Sequence, residues 1–201
     1  MTWIEPRLER ISRAARAWGL GLGLALALGL ISWPRPLAAG SPTPFTARTG
    51  VDLSEAAVHA WAADAQLIYI ENDDDLGDDG TAVRWGYLFY SPTLDQSRAY
   101  SIRNGKIVQA ENLQMKFQAP PLAREWMDSG AALEAADRQV GRAFREKHQG
   151  HLSAMLLMRG AFQDADPDPT TWTLVYSAPH VASLFVMVDA SAGKVRRTWR
   201  G

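Results

Sequence analysis

The chain contains no cysteine. That excludes a disulfide, a thiolate metal site, a cysteine nucleophile and a lipid carried on cysteine. It also lacks a strong charge of either sign: 21 basic and 22 acidic residues leave a formal net charge of -1. Arg7, Arg10, Arg13, Arg16 and Arg35 lie in the first forty residues, against Glu5 and Glu9 alone, so the remainder holds 16 basic and 20 acidic residues. A mildly acidic body argues against a general nucleic-acid binder, which needs clustered Lys and Arg to displace phosphate counterions. The basic end Arg196-Arg197-Thr198-Trp199-Arg200 is read as the solvated edge of a last strand. No Gly-x-Ser-x-Gly elbow, phosphate-binding loop or His-Glu-x-x-His motif is present. The nearest approach to a zinc motif is His148-Gln149-Gly150-His151, which has Gln where the general base belongs and a glycine that breaks the helix. No catalytic residue, metal ligand or cofactor is assigned.

What is there begins with a targeting segment. Residues 1–17 mix arginines with apolar residues, residues 18–33 run without a charge, and small residues follow in Pro36-Leu37-Ala38-Ala39-Gly40. Basic region, apolar region and small-residue zone, in that order, form a secretory signal. Cleavage is expected after Ala39 or Gly40, which gives an extracytoplasmic protein (secreted, periplasmic or held in the cell envelope). The apolar run of about 16 residues is short of the roughly 20 that a spanning helix needs. A membrane is a partner only if this segment stays uncleaved.

The rest reads as a repeat. Trp85-Gly86-Tyr87-Leu88-Phe89 is followed by the strand Tyr100-Ser101-Ile102 and the turn Asn104-Gly105. Trp172-Thr173-Leu174-Val175-Tyr176 is followed by Phe185-Val186-Met187-Val188 and the turn Gly193-Lys194-Val195. An alanine-rich, helix-like stretch precedes each copy. Self-similarity of this kind marks one supersecondary unit used twice. Residues 41–51 are read as a linker, 52–118 as the first module, 119–127 (with Pro120-Pro121) as a boundary, and 128–201 as the second module. Asp52 with Glu55 three residues later reads as a helix start. Leu53, Ala56, Ala57, Ala60 and Ala63 are its expected apolar face, and Leu133, Ala136, Val140, Ala143 and Phe144 the second helix's. Strands are expected at 66–70, 82–90, 98–103, 106–115, 152–162, 170–178, 182–189 and 194–200. The expected fold class is α+β: two tandem modules, each a helix packed on an antiparallel sheet of about four strands. Units of about 70 residues are marginal alone, so the two should pack together or share a sheet.

These residues resemble the PepSY domain. The match is clearer in Trp172–Tyr176 with Phe185-Val-Met-Val-Asp189-Ala-Ser-Ala-Gly193-Lys-Val195, and more diverged in Asp79-Gly80 ahead of Trp85–Phe89. The resemblance spans most of 52–201, and its motif is mainly structural. It implies a protein-binding role in the bacterial envelope, with inhibition or regulation of a peptidase as the function proposed for such domains.

On strand parity, Trp85, Tyr87, Phe89, Trp172 and Tyr176 fill the layer between helix and sheet. Arg84, Leu88, Tyr90 and Val175 then lie on the opposite face, where Arg84 and Tyr90 are the expected partner contacts. The acidic stretch Glu71–Gly80 is read as a solvated turn. Calcium remains an alternative there, although the spacing of a calcium loop fails: the twelfth position from Asp75 is Gly86. Asp164, Asp166 and Asp168 form a second acidic loop, interrupted by prolines. The leading expectation is an exported, non-enzymatic binding module acting on an unidentified protein, a peptidase by resemblance. A calcium-dependent structural protein and a cryptic hydrolase using His148 or His151 are the alternatives.

Overall fold

The computed structural model describes residues 42–113, 119–160 and 169–201. The expected signal, the second acidic loop and the ends of the expected strands at 106–115 and 152–162 lie outside them. Helix α1 (Ala47–Trp61) precedes strands β1 (Gln66–Asn72), β2 (Arg84–Ser91), β3 (Gln96–Arg103) and β4 (Lys106–Leu113). Helix α2 (Ser129–Ala136) continues through a π-helical turn (Asp137–Gly141) into α3 (Arg142–His148). Strands β5 (His151–Arg159), β6 (Thr170–Ala178), β7 (Val181–Asp189) and β8 (Val195–Arg200) follow.

All eight strands form one antiparallel sheet in the order β4-β3-β2-β1-β5-β6-β7-β8. The expected fold class of two tandem modules, each a helix on an antiparallel sheet of about four strands, is therefore corrected to one eight-stranded sheet, the sharing that the small size of each unit leaves open. The halves join where β1 pairs with β5, with Tyr69 opposite Met158, Ile70 opposite Leu157 and Glu71 opposite Leu156. Apart, β1 and β5 would be edge strands with unpaired backbone groups, an exposure that sheets avoid. Ile70 and Leu157 would also be uncovered, whereas in the joined sheet both are fully buried.

Local chemistry explains most of the elements. Alternation of apolar and polar residues puts Trp85, Tyr87 and Phe89 on the helix side of β2, all buried. Asn104 and Gly105 both have positive φ, at 51° and 68°, as the two-residue turn between β3 and β4 requires. The first helix departs from expectation. It starts at Ala47, inside the stretch read as a linker, and Asp52 is an exposed residue within it. Its buried face is Ala47, Gly50, Ser54 and Val58, while Leu53 is 44% exposed. Small residues are needed there because the Tyr87 ring abuts the helix: a Cβ on Gly50 would stand 1.9 Å from the Tyr87 Oη. That hydroxyl donates to the carbonyl of Ala47 at 2.9 Å.

The helix N-termini meet over the sheet. The Asp128 carboxylate accepts from the backbone N–H of Ser129 at 2.7 Å and of Arg48 at 3.0 Å. Ser129 Oγ accepts from the N–H of Ala47 at 3.2 Å. One carboxylate thus serves the free amides and the positive dipole ends of two helices. Beneath them Trp85 and Trp172, both fully buried, meet edge to face at 6.3 Å. Each indole N–H donates to a carbonyl at 2.8 Å, Phe45 for Trp85 and Met127 for Trp172. The repeated tryptophans therefore occupy matching places in one core.

Candidate functional site

Both helical segments lie on the face of the sheet that buries the two tryptophans. The opposite face carries no helix among the described residues, and its side chains follow from the register. One row across it runs Gln109, Ser101, Gly86, Glu71, Leu156, Thr173, Met187 and Arg197.

Gly86 is the hinge of this row. It has no side chain, and Asp73 folds over the space: a Cβ there would meet the Asp73 Oδ1 at 2.9 Å. Asp73 accepts from the Ser101 hydroxyl at 2.6 Å and lies 3.4 Å from the Arg84 Nε. The same Nε donates to Ser101 Oγ at 2.6 Å, and the Arg84 Nη2 donates to Gln109 Oε1 at 3.3 Å. Glu71, directly opposite Gly86, accepts from the Tyr69 hydroxyl at 2.9 Å. Burial, then the negative charge of Asp73, pushes the Glu71 carboxyl up to about 7, against the lowering effect of the Tyr69 hydrogen bond. Burial also raises Asp73, offset in part by Ser101 and Arg84. The niche thus holds a carboxyl that exchanges its proton near neutrality beside a second carboxyl held by an arginine. Sequence reading missed Glu71 by placing it in a turn. Tyr69, Glu71 and Asp73 alternate with the period of the strand, and that was the available signal.

Arg84 and Tyr90 both lie on this open face, as strand parity indicates. Arg84 is committed to the niche and its side chain is 28% exposed. Tyr90 packs against a small apolar cluster of Ile68, Tyr69 and Leu88, and its hydroxyl donates to Asp95 at 2.9 Å. Ala119 and Met158 pack on the same cluster. Toward β8 the face becomes apolar: Val175 is opposite Phe185, and Phe185 stacks on Trp199 with centroids 5.0 Å apart and rings 10° from parallel. This strip adjoins the niche through Leu156.

The first acidic loop turns its carboxylates to different protein groups. Asp74 approaches Arg103 at 3.8 Å, Asp78 pairs with Arg145 at 2.9 Å, and Asp79 accepts from the Thr81 hydroxyl at 2.7 Å. His148 packs on Phe144, and His151 is exposed at the start of β5. Among the described residues no group of three or more His, Asp or Glu is placed to hold a metal ion. No helix of the described residues is long and apolar enough to cross a membrane.

No family model matches the chain, and no curated protein matches it. Among solved structures, a putative lipoprotein from Clostridium difficile 630 is similar, with a TM-score of 0.51 and 13% sequence identity over 74% of this chain and 90% of that one. What the two share is a fold. The 201 residues here include no cysteine on which a lipid could be carried.

Proposed function

We propose that this is an exported, non-enzymatic binding protein that docks a protein of the cell envelope on the open face of its sheet. The observation that carries the reading is the face itself. An apolar strip (Leu156, Val175, Phe185, Trp199) adjoins a polar niche (Arg84, Asp73, Glu71), and neither is covered by a helix among the described residues. Apolar area rimmed by polar groups is the usual composition of a protein-binding patch. The basic-then-apolar start of the chain and the fold likeness to a lipoprotein support an envelope location. The PepSY resemblance makes a peptidase the partner to test first, with inhibition or regulation as the consequence.

A panel of envelope peptidases, each assayed with and without the purified chain, tests this reading. At least one rate should change, and Val175→Asp should abolish the effect because it places a charge in the centre of the strip. Unchanged rates across the panel would remove the peptidase reading. A complex that tolerates Val175→Asp would remove the open face as its site. The calcium reading has less support, because Asp74, Asp78 and Asp79 are held apart by separate partners.

A further inference from the structure

A second surface, distinct from the open face, lies at the other margin of the sheet. Among the described residues β8 is an edge strand. Ser183 and Gly201 exchange both backbone hydrogen bonds, at 2.9 and 3.2 Å. In an antiparallel pair such exchanges recur at every second residue. Trp199 and Arg197 therefore turn their backbone groups toward β7, and the N–H and C=O of Thr198 and Arg200 point outward from the sheet.

Beneath this edge, on the helix side, is an open groove of about 270 Å³. Val140, Phe144 and Leu184 line its apolar part, and Lys147, His148 and Arg200 its polar part. None of its lining residues is acidic. Arg200 is held in place, its guanidinium 4.5 Å from the centre of the Phe144 ring and its Nη1 donating to the carbonyl of Ala182 at 3.0 Å. Arg197 adds a further cation on the other face of the edge, while Asp189, the acid nearest the strand in the register, is engaged by Arg196 at 2.8 Å.

We propose that β8 and this groove bind an extended acidic segment of a partner protein, added to the sheet as a ninth strand. The outward groups of Thr198 and Arg200 would supply the main-chain hydrogen bonds, as in other strand-addition complexes. The groove accepts the apolar side chains that point to the helix side, since residues of a strand alternate between faces. Lys147 and Arg200 line the groove on that same side and select carboxylates that flank the apolar side chains there. The same charges disfavour a second copy of this chain, because two β8 strands paired edge to edge would bring arginine against arginine. The site needs neither the Glu71 niche nor the open face, so it stands or falls separately from the function proposed above.

The test uses the full chain and a fluorescein-labelled heptapeptide, Glu-Thr-Leu-Thr-Val-Thr-Glu, which sets its carboxylates and apolar side chains on one face, followed by fluorescence anisotropy. Saturable binding is expected, and the same peptide with Lys in place of Glu should bind at least about tenfold more weakly. Thr198→Pro removes an outward N–H and no bond to β7, a position at which an edge strand tolerates proline. It should weaken binding by about tenfold or more, whereas Thr198→Val should not. Lys147→Glu changes an exposed side chain and should weaken binding similarly, which decides the matter if the proline variant unfolds. Equal binding of the Glu and Lys peptides, or unaltered binding by Lys147→Glu, would overturn the proposal. So would a lack of saturable binding. A dimer of the free chain dissociated by Thr198→Pro would assign the edge to a second copy and overturn it equally.

Discussion

Glu71 is the residue whose chemistry departs furthest from its type. Its carboxyl is held at about 7 against an ordinary value of 4.5, first by burial and then by the neighbouring charge of Asp73. Folding therefore raises its affinity for a proton. Between those two values Glu71 binds more protons in the folded chain than in the unfolded one, so the stability it contributes is fully present below pH 4.5 and is lost as pH rises through 7. Asp73 is shifted in the same direction and adds to the trend. Urea denaturation at pH 5 and pH 8 should show a loss of about 2 kcal/mol for the natural chain, and most of that loss should be absent in Glu71→Gln. An equal loss in the variant would assign the trend to other groups. Tyr69→Phe removes the donor that favours the charged form, so it should move the fall in stability to higher pH. The pair was hidden in the sequence because a run of Asp, Asn and Gly reads as a turn, whereas β1 continues through Asn72 before that turn begins.

Among the elements, the strands were largely legible and the first helix was not. Alternating aromatics and the Asn104-Gly105 pair locate β2, β3 and β4, because strand periodicity and positive φ are local requirements. Helix α1 offered a misleading stripe. Leu53, Ala56 and Ala60 are apolar by composition but exposed, and the buried face uses Gly50 and Ser54 because a tyrosine ring needs the room. No side chain of the first turn caps the helix from within its own sequence, so its start was invisible too. The second helix repeats the device. A Cβ on Gly141 would stand 2.3 Å from the Oη of Tyr176, whose hydroxyl donates to the buried Asp137 at 2.9 Å. Gly50→Ala and Gly141→Ala should each destabilise by about 1–3 kcal/mol, the range for overpacking, although alanine is the better helix former by about 1 kcal/mol. Thermal unfolding checks both. A gain in stability would mean that the tyrosines can move aside freely.

At the scale of the molecule, the β1–β5 pairing and the shared cap decide the architecture. Neither was legible: the paired strands lie more than 80 residues apart with no turn between them, and Asp128 reads locally as the start of one helix. Trp85→Ala or Trp172→Ala should cost about 3–5 kcal/mol each. Because the rings touch, the double variant should lose less than the sum of the two, by about 0.5–1.5 kcal/mol. Asp128→Ala should cost about 1–2 kcal/mol while keeping a single unfolding transition, since both halves share one core. Two separated transitions would contradict the single sheet. The open face was legible through strand parity, which placed Arg84, Leu88, Tyr90 and Val175 together. What the sequence could not convey is that Arg84 is bound to Asp73 and Ser101, and Tyr90 to Asp95, within the fold. The proposed contact surface is therefore the apolar strip, and site-specific photocrosslinking in the native envelope addresses it directly. A photoreactive residue at Val175 or Phe185 should give a discrete adduct with one envelope protein, while the same residue at Leu53, exposed on the outer side of α1, should give none. An adduct from Leu53 with none from the open face would contradict the binding role assigned to that face.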